Sequence, residues 1–204
     1  MGVKLVALDI DGTLIPPGAC GSEVAPSERI LNAVAALADR GIAVVLASGR
    51  MFPGTQKIAR ALQLPGPVIC QQGCSVHLLD GTMTHEFPIE RTTALEIIDY
   101  ARQIDRAYEW FNPLRYIASR RSEASEQYGA VSGITPEYRP DPENSGIDPT
   151  GVGIISDAAK ACTYWIFQPS PWRWPRTQTK GTRSRSSAPT LVSSGTKRLP
   201  SATA

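Results

Sequence analysis

The amino-acid sequence predicts an α/β fold that combines a parallel sheet with a smaller α+β module after it. Over the first eighty residues, short apolar runs rich in aliphatic and β-branched residues alternate with amphipathic helical patterns. Such alternation favours parallel strands joined by right-handed crossovers. After residue 80 the pattern changes to a hairpin, short strands and short helices, which indicates a second module.

The parallel sheet is predicted from three apolar runs and the two helical patterns between them. The strands are expected at 3–8, 42–48 and 67–73, and the first reads as buried on both faces. In the first helical pattern, Ser27 stands at the N-cap position and Gly41 follows the end. A second helix is predicted at 54–64. Ligands bind beyond the carboxyl ends of strands in such sheets, where Asp9, Ser48 and Gln72 fall.

The second module is predicted from turn signals and short periodic segments. A hairpin is expected at 75–87 around Asp80 and Gly81. The remaining elements are helices at 92–104 and 122–131, strands at 108–111, 115–119 and 152–156, and a loop at 138–151. The predicted division is a core at 1–80, a second module at 81–167 and a tail at 168–204.

Composition favours an ordinary globular protein that is not inserted in a membrane. The chain has 204 residues, of which 42% are hydrophobic and 20% charged. No apolar run reaches the roughly eighteen residues that a membrane span needs. The N-terminus does not resemble a signal peptide, and the four cysteines are interpreted as reduced thiols. We therefore expect a cytoplasmic protein. The sequence does not indicate an oligomeric state.

The charge is distributed unevenly along the chain. Residues 1–167 carry a formal charge of −5, whereas residues 168–204 carry +7 and contain no acidic residue. This basic tail has no sustained helix or strand period, which predicts disorder. A basic tail is also compatible with binding to a polyanion, although specific nucleic-acid binding would need a folded reader or repeats.

Asp9 and Asp11 stand at the end of the first predicted strand, in the segment "LVALDIDGTLI". Side chains alternate along an extended segment, so the two carboxylates are expected to point the same way. A rigid carboxylate can attack phosphorus, and a second can protonate the leaving oxygen and then activate water. Mg²⁺ would offset the repulsion between the two charges. Gly12 permits a sharp turn, and the Thr13 hydroxyl is expected to hold the loop.

The motifs "DIDGTL" and "VVLASGR" together resemble the first two motifs of the haloacid dehalogenase superfamily of phosphatases, in its Cof-like subgroup. "VICQQG" resembles the next strand end of that subgroup, with Gln72 in place of Asn. The resemblance covers about residues 3–160. It implies a Rossmann-like parallel-sheet core with an inserted α+β cap, and a phosphatase that cleaves small phosphorylated metabolites, such as sugar phosphates, through an aspartyl-phosphate intermediate with Mg²⁺.

The same resemblance implies roles for individual residues. Asp9 and Asp11 would be the catalytic pair and would bind the metal, supplying together one carboxylate and one backbone carbonyl. The remaining candidates would bind the phosphate group: Thr13, Ser48, Gly49, Arg50 and Lys180.

The third and fourth motifs of the superfamily are not matched as closely as the first two. Lys180 in "TKGT" resembles the Lys-Gly of the third motif, but its flanks do not predict a helix start. The acidic fourth motif, Gly-Asp-x-x-Asn-Asp, has no counterpart, which is compatible with a chain that is truncated or read out of frame after about residue 160. The alternative function is therefore a catalytically inactive fragment or pseudo-enzyme with a polyanion-binding tail.

Overall fold

The computed structural model describes residues 2–16 and 25–155, together with the backbone of a strand at 164–167. Lys180 and the predicted disordered tail at 168–204 lie outside the described residues.

The first sheet confirms the predicted α/β class. Its five strands lie in sequence order: β1 (Leu5–Leu8), β2 (Ala43–Ala47), β3 (Val68–Cys70), β4 (Ser75–His77) and β5 (Met83–Glu86). β1, β2 and β3 are parallel, whereas β3, β4 and β5 are antiparallel. Helices α1 (Glu28–Ala38) and α2 (Phe52–Ala61) form the two parallel crossovers.

The core of this sheet lies on one face. Val44, Leu46 and Val68 are buried in a cluster that also contains residues of α1 and α2. Side chains of the opposite face are exposed or half-buried, and Leu5 is 58% exposed. The prediction that β1 is buried on both faces is therefore wrong. An apolar run reports that a strand is suited to burial, but the neighbouring elements decide whether it is covered.

The caps of α1 agree with the predicted positions but not with every predicted contact. Ser27 occupies the N-cap, yet its side chain makes no capping hydrogen bond. Gly41 has a φ of +68°, and its N–H donates to the carbonyl of Ala38 at 2.8 Å. The left-handed conformation explains why glycine follows this helix.

A second layer, here called the cap, follows the hairpin. Its helices are α3 (Arg91–Gln103) and α4 (Glu123–Ser132), and its strands are β6 (Tyr108–Phe111), β7 (Tyr116–Ala118), β8 (Glu137–Tyr138), β9 (Gly151–Ile154) and β10 (Tyr164–Phe167). The strand order is β10-β9-β6-β7-β8. The sequence did not predict β8 and β10. Both strands of the predicted hairpin, β4 and β5, belong to the first sheet and not to the cap.

The cap has its own hydrophobic core. Ile98 and Ala101 of α3 are fully buried in one cluster with Trp110 and Val152. No helix among the described residues is long and apolar enough to cross a membrane.

Cys70 and Cys74 are buried free thiols, as predicted. Burial raises the pKa of the Cys70 thiol to about 11. At neutral pH it is therefore protonated, and a protonated thiol is a poor nucleophile and a poor metal ligand.

His77 is a buried imidazole next to α2. It is 2% exposed and stacks on the ring of Phe52 with centroids 4.6 Å apart. Neither ring nitrogen has a hydrogen-bond partner of good geometry among the described residues. Burial lowers the pKa of His77 below 6.5 because the charged form loses hydration.

The lowered pKa of His77 predicts a loss of stability in mild acid. The unfolded chain takes up a proton near pH 6.5, before the folded chain does, so the free energy of unfolding falls as the pH drops through and below that value. We expect His77→Phe to weaken this pH dependence in denaturant unfolding between pH 7.5 and 5. Phe52→Leu disturbs the same packing but keeps the imidazole, so it should preserve the dependence. Equal pH slopes for the parent and His77→Phe would contradict the assignment.

Candidate active site

A tight loop after β1 carries the two aspartates. The N–H groups of Leu14 and Ile15 both donate to the carbonyl of Ile10 at 2.9 Å, and Gly12 N–H donates to the carbonyl of Ile15 at 2.7 Å. Gly12 has a φ of +83°, which favours glycine at this turn. The Thr13 hydroxyl makes no hydrogen bond to any described residue, so its predicted part in holding the loop stays a prediction. Backbone hydrogen bonds hold the loop.

Asp9 has one engaged and one available carboxylate oxygen. Its Oδ1 accepts a hydrogen bond from the N–H of Ile10 at 2.7 Å. No described residue donates to Oδ2. Ile10 is fully buried, whereas Asp9 and Asp11 on either side of it are exposed. Both carboxylates therefore lie on the solvent side of the loop, with one oxygen of Asp9 open to a ligand.

Asp11 is paired with Arg50 at the end of β2. The Arg50 Nε donates to Asp11 Oδ2 at 2.9 Å, and Nη2 donates to Oδ1 at 2.6 Å. The Arg50 side chain is 5% exposed and that of Asp11 is 51% exposed. Arg50 thus neutralises Asp11 from the protein side, in the bidentate geometry that suits a guanidinium and a carboxylate.

Ser48 and Gly49 complete the end of β2. Ser48 is buried, and its Oγ accepts a hydrogen bond from the N–H of Arg50 at 3.2 Å. Because a hydroxyl can donate as well as accept, its hydrogen remains available to a ligand. A Cβ on Gly49 would lie 2.5 Å from Nε2 of Gln72. Gly49 therefore lets the exposed side chain of Gln72 lie directly on the strand end.

Two successive glutamines at the end of β3 have left-handed backbone conformations, with φ of +52° for Gln71 and +57° for Gln72. Such conformations are strained for residues with side chains and occur most often at functional sites. Gln71 is fully buried; its Nε2 donates to the carbonyl of Asn112 at 3.0 Å, and its Oε1 accepts from Thr150 Oγ1 at 3.2 Å. Gln71 thus joins this strand end to the cap.

Three consecutive residues after β2 contact helix α4 of the cap. The carbonyl of Gly49 accepts from the Tyr128 hydroxyl, Arg50 Nη1 donates to the carbonyl of Val131, and the N–H of Met51 donates to Ser132 Oγ; each distance is 3.2 Å. Burial raises the pKa of Tyr128, so its hydroxyl stays a donor at neutral pH. The cap therefore rests on the strand end that carries Ser48 and Arg50.

The described residues do not complete a Mg²⁺ site by themselves. Both carboxylate oxygens of Asp11 accept from Arg50, which leaves Asp9 Oδ2 as the available carboxylate oxygen on the loop. The part of the chain that the structure describes contains no cluster of three or more acidic, histidine or cysteine side chains that could hold a metal. Mg²⁺ prefers several oxygen ligands in near-octahedral geometry.

The structure brings most of the predicted site residues to one end of the first sheet. Asp9 and Asp11 share the loop after β1, and Ser48, Gly49 and Arg50 follow β2; Thr13 lies exposed on the same loop as the aspartates. Sequence reasoning missed the cap side of this site. No strand-end or motif signal marks the α4 residues, because they form an ordinary short helix in the sequence.

A model of a known protein family matches most of the chain. The family is described as haloacid dehalogenase-like hydrolase, and the match covers residues 6–164. Among individual relatives, an HMP-PP phosphatase of Shigella flexneri serotype 5b (strain 8401) is 32% identical over 132 residues, which is 64% of this chain. The match spans 46% of that relative, so the chain covers about half of its length.

Solved structures of similar fold agree with this match. A haloacid dehalogenase-like hydrolase from B. subtilis superposes with a TM-score of 0.60 at 21% identity, over 76% of this chain and 62% of the other. A sugar phosphatase of HAD subclass IIB superposes with a TM-score of 0.61 at 14% identity, over 75% of this chain and 58% of the other. At these identities the superpositions show that the fold is shared.

The close approach of α4 to α2 predicts an unusual effect of a glycine substitution. A Cβ on Gly54 would lie 2.2 Å from the carbonyl oxygen of Val131 and 2.9 Å from Ser132 Cα. Gly→Ala inside a helix normally stabilises a protein. Here we expect Gly54→Ala to lower the free energy of unfolding by about 1–3 kcal/mol, because backbone atoms must move.

Chemical denaturation of both proteins measures this difference. Lys57→Ala, at an exposed position of the same helix, should change stability by less than about 0.5 kcal/mol. A stabilised Gly54→Ala variant would show that α4 does not lie against α2 in this way.

Proposed function

Because the chain belongs to the haloacid dehalogenase-like hydrolase family, we propose that it acts as a phosphatase on small phosphorylated metabolites, with Asp9 as the nucleophile. The observation that carries the proposal is the carboxylate of Asp9, which has one oxygen free of hydrogen bonds to any described residue, on the loop beside the buried Ser48 strand end. A relative of this chain is named as an HMP-PP phosphatase, which supports this substrate class.

The proposed reaction has two steps. In the first, Asp9 Oδ2 attacks phosphorus, a new O–P bond forms, and the bond to the leaving oxygen breaks. In the second, water attacks the aspartyl-phosphate and releases inorganic phosphate with the Asp9 carboxylate restored. The Ser48 hydroxyl and the Gly49 N–H are the proposed donors to the phosphate oxygens at the end of β2.

Asp11 is the proposed acid and base. It would give a proton to the leaving oxygen in the first step and take one from water in the second. In the structure both of its carboxylate oxygens accept N–H groups of Arg50. These two hydrogen bonds orient the carboxyl group toward the open side of the loop for both proton transfers.

Mg²⁺ is the proposed cofactor on the strength of family membership. When bound in such a site it neutralises phosphate oxygens. On the loop after β1, Asp9 has a carboxylate oxygen that no described residue engages, and the backbone carbonyl of Asp11 is the second proposed ligand. No step above is assigned to the ion, because the described residues supply too few ligands to hold it.

The proposal predicts that Asp9→Asn abolishes hydrolysis of an aryl phosphate such as p-nitrophenyl phosphate. The amide is a poor nucleophile, so we expect at least about a thousandfold loss. Asp39→Asn, an exposed residue after α1, is the matched control and should retain parent activity. Unchanged turnover of Asp9→Asn would remove Asp9 from the mechanism, and no turnover by the parent would favour a catalytically inactive chain.

The small number of carboxylate ligands on the loop predicts weak binding of Mg²⁺. We expect a dissociation constant for Mg²⁺ of about 1 mM or weaker by isothermal titration calorimetry, since one free carboxylate binds Mg²⁺ poorly. Asp9→Asn should abolish the heat of Mg²⁺ binding that the parent chain still shows. Micromolar binding by the parent would mean that further acidic ligands complete the site.

A further inference from the structure

Arg50 has contacts that do not fit a phosphate ligand. Its side chain is almost completely buried, and three of its nitrogens already donate within the protein, two to Asp11 and one to the carbonyl of Val131. A guanidinium has five N–H groups in a fixed plane, so these bonds determine its orientation. An arginine that bound an incoming phosphate would direct at least some of these N–H groups toward the solvent.

The contact on the cap side is at a helix end that needs a donor. Val131 lies in the last turn of α4, where carbonyl groups have no partner within the helix. The neighbouring carbonyls of Gly129 and Ala130 accept from Ile134 and Gly133 beyond the helix, whereas that of Val131 accepts from Arg50. The partial negative charge of a helix C-terminus also favours a cation there.

Arg50 therefore lies between two acceptors on different parts of the molecule. One is the Asp11 carboxylate on the core loop, and the other is the last turn of α4 in the cap. Movement of α4 away from the core would remove one acceptor of a buried cation. The bond of Met51 to Ser132 and the bond of Gly49 to Tyr128 flank this link but do not reach Asp11.

We infer that Arg50 is a positioning residue that couples the contact between α4 and the core to the position of the Asp11 carboxylate, and that it does not bind the phosphate group. While α4 is in contact with the core, the guanidinium binds both oxygens of Asp11. With α4 displaced, it loses the acceptor that fixes its orientation, and Asp11 is released. The part of this inference that concerns catalysis rests on the proposed role of Asp11 as acid and base; the coupling itself does not require the chain to be active.

Hydrogen exchange of two matched variants tests the coupling. Asp9→Asn and Asp11→Asn each remove one negative charge from the same loop, but only Asp11 contacts Arg50. In Asp11→Asn we expect the amides of Gly133 and Ile134, which close the last turn of α4, to exchange about tenfold faster. In Asp9→Asn the change should stay below about twofold, and amides of α3 should be unaffected in both. Equal effects of the two variants, or none, would overturn the coupling.

Phosphate affinity separates positioning from phosphate binding. We expect the parent and Arg50→Lys to bind inorganic phosphate with dissociation constants that agree within about twofold in a ³¹P NMR titration, because Arg50 is not a phosphate ligand in this inference. Lys keeps the positive charge but cannot make the bidentate contact with Asp11. Ser48→Ala should weaken phosphate binding by about fivefold or more, because it removes a proposed donor.

Measurements of aryl phosphate hydrolysis then distinguish a failure of this inference from a failure of the proposed function. Where the parent hydrolyses aryl phosphate, Arg50→Lys should lower kcat with KM unchanged. A tenfold loss of phosphate affinity in Arg50→Lys would return Arg50 to the phosphate site and overturn the inference. A parent that neither binds phosphate nor turns over would defeat the proposed function, while the exchange experiment would still decide the coupling.

Discussion

The buried guanidinium of Arg50 is the interaction on which the arrangement of this site depends. A cation that is nearly inaccessible to water is tolerated where its hydrogen-bond donors are satisfied and its charge is compensated. Asp11 supplies the charge and two acceptors, and the C-terminal turn of α4 supplies a third acceptor. The Arg50 side chain therefore joins the loop after β1 to the cap, next to the hydrogen bonds that Gly49 and Met51 make to α4.

Small residues make this contact possible. The backbone of α2 at Gly54 approaches the last turn of α4 so closely that a Cβ would overlap the Val131 carbonyl. Gly133, which caps α4 in a left-handed conformation, lies against the N–H of Gly54. Close packing of two backbones brings the Val131 carbonyl within reach of Arg50. The glycines and the arginine thus act together to place the cap against the end of the first sheet that carries Asp9 and Asp11.

The sequence was sufficient to predict most of the helices and strands and the sheet end at which the candidate site residues meet, because both depend on local signals. Apolar runs located β1 to β3, and residues at their carboxyl ends converge as the topology of parallel sheets requires. It was not sufficient for contacts that depend on tertiary packing. No local sequence signal predicts the exposure of Leu5, the pairing of Arg50 with Asp11 or the role of Gln71 as a link to the cap. β8, with two residues, is shorter than any periodic pattern can detect.

The two carboxylates of the site are held by different sets of contacts. Asp9 follows β1, which pairs with β2 alone among the described residues. Its position depends on the burial of Ile10 and on the backbone hydrogen bonds that converge on the Ile10 carbonyl. Asp11, two residues later, is fixed from the opposite side by Arg50 and hence by the cap. A displacement of α4 therefore alters the environment of the proposed acid and base while the proposed nucleophile keeps its place, so in the proposed reaction the cap acts on proton transfer and not on nucleophilic attack.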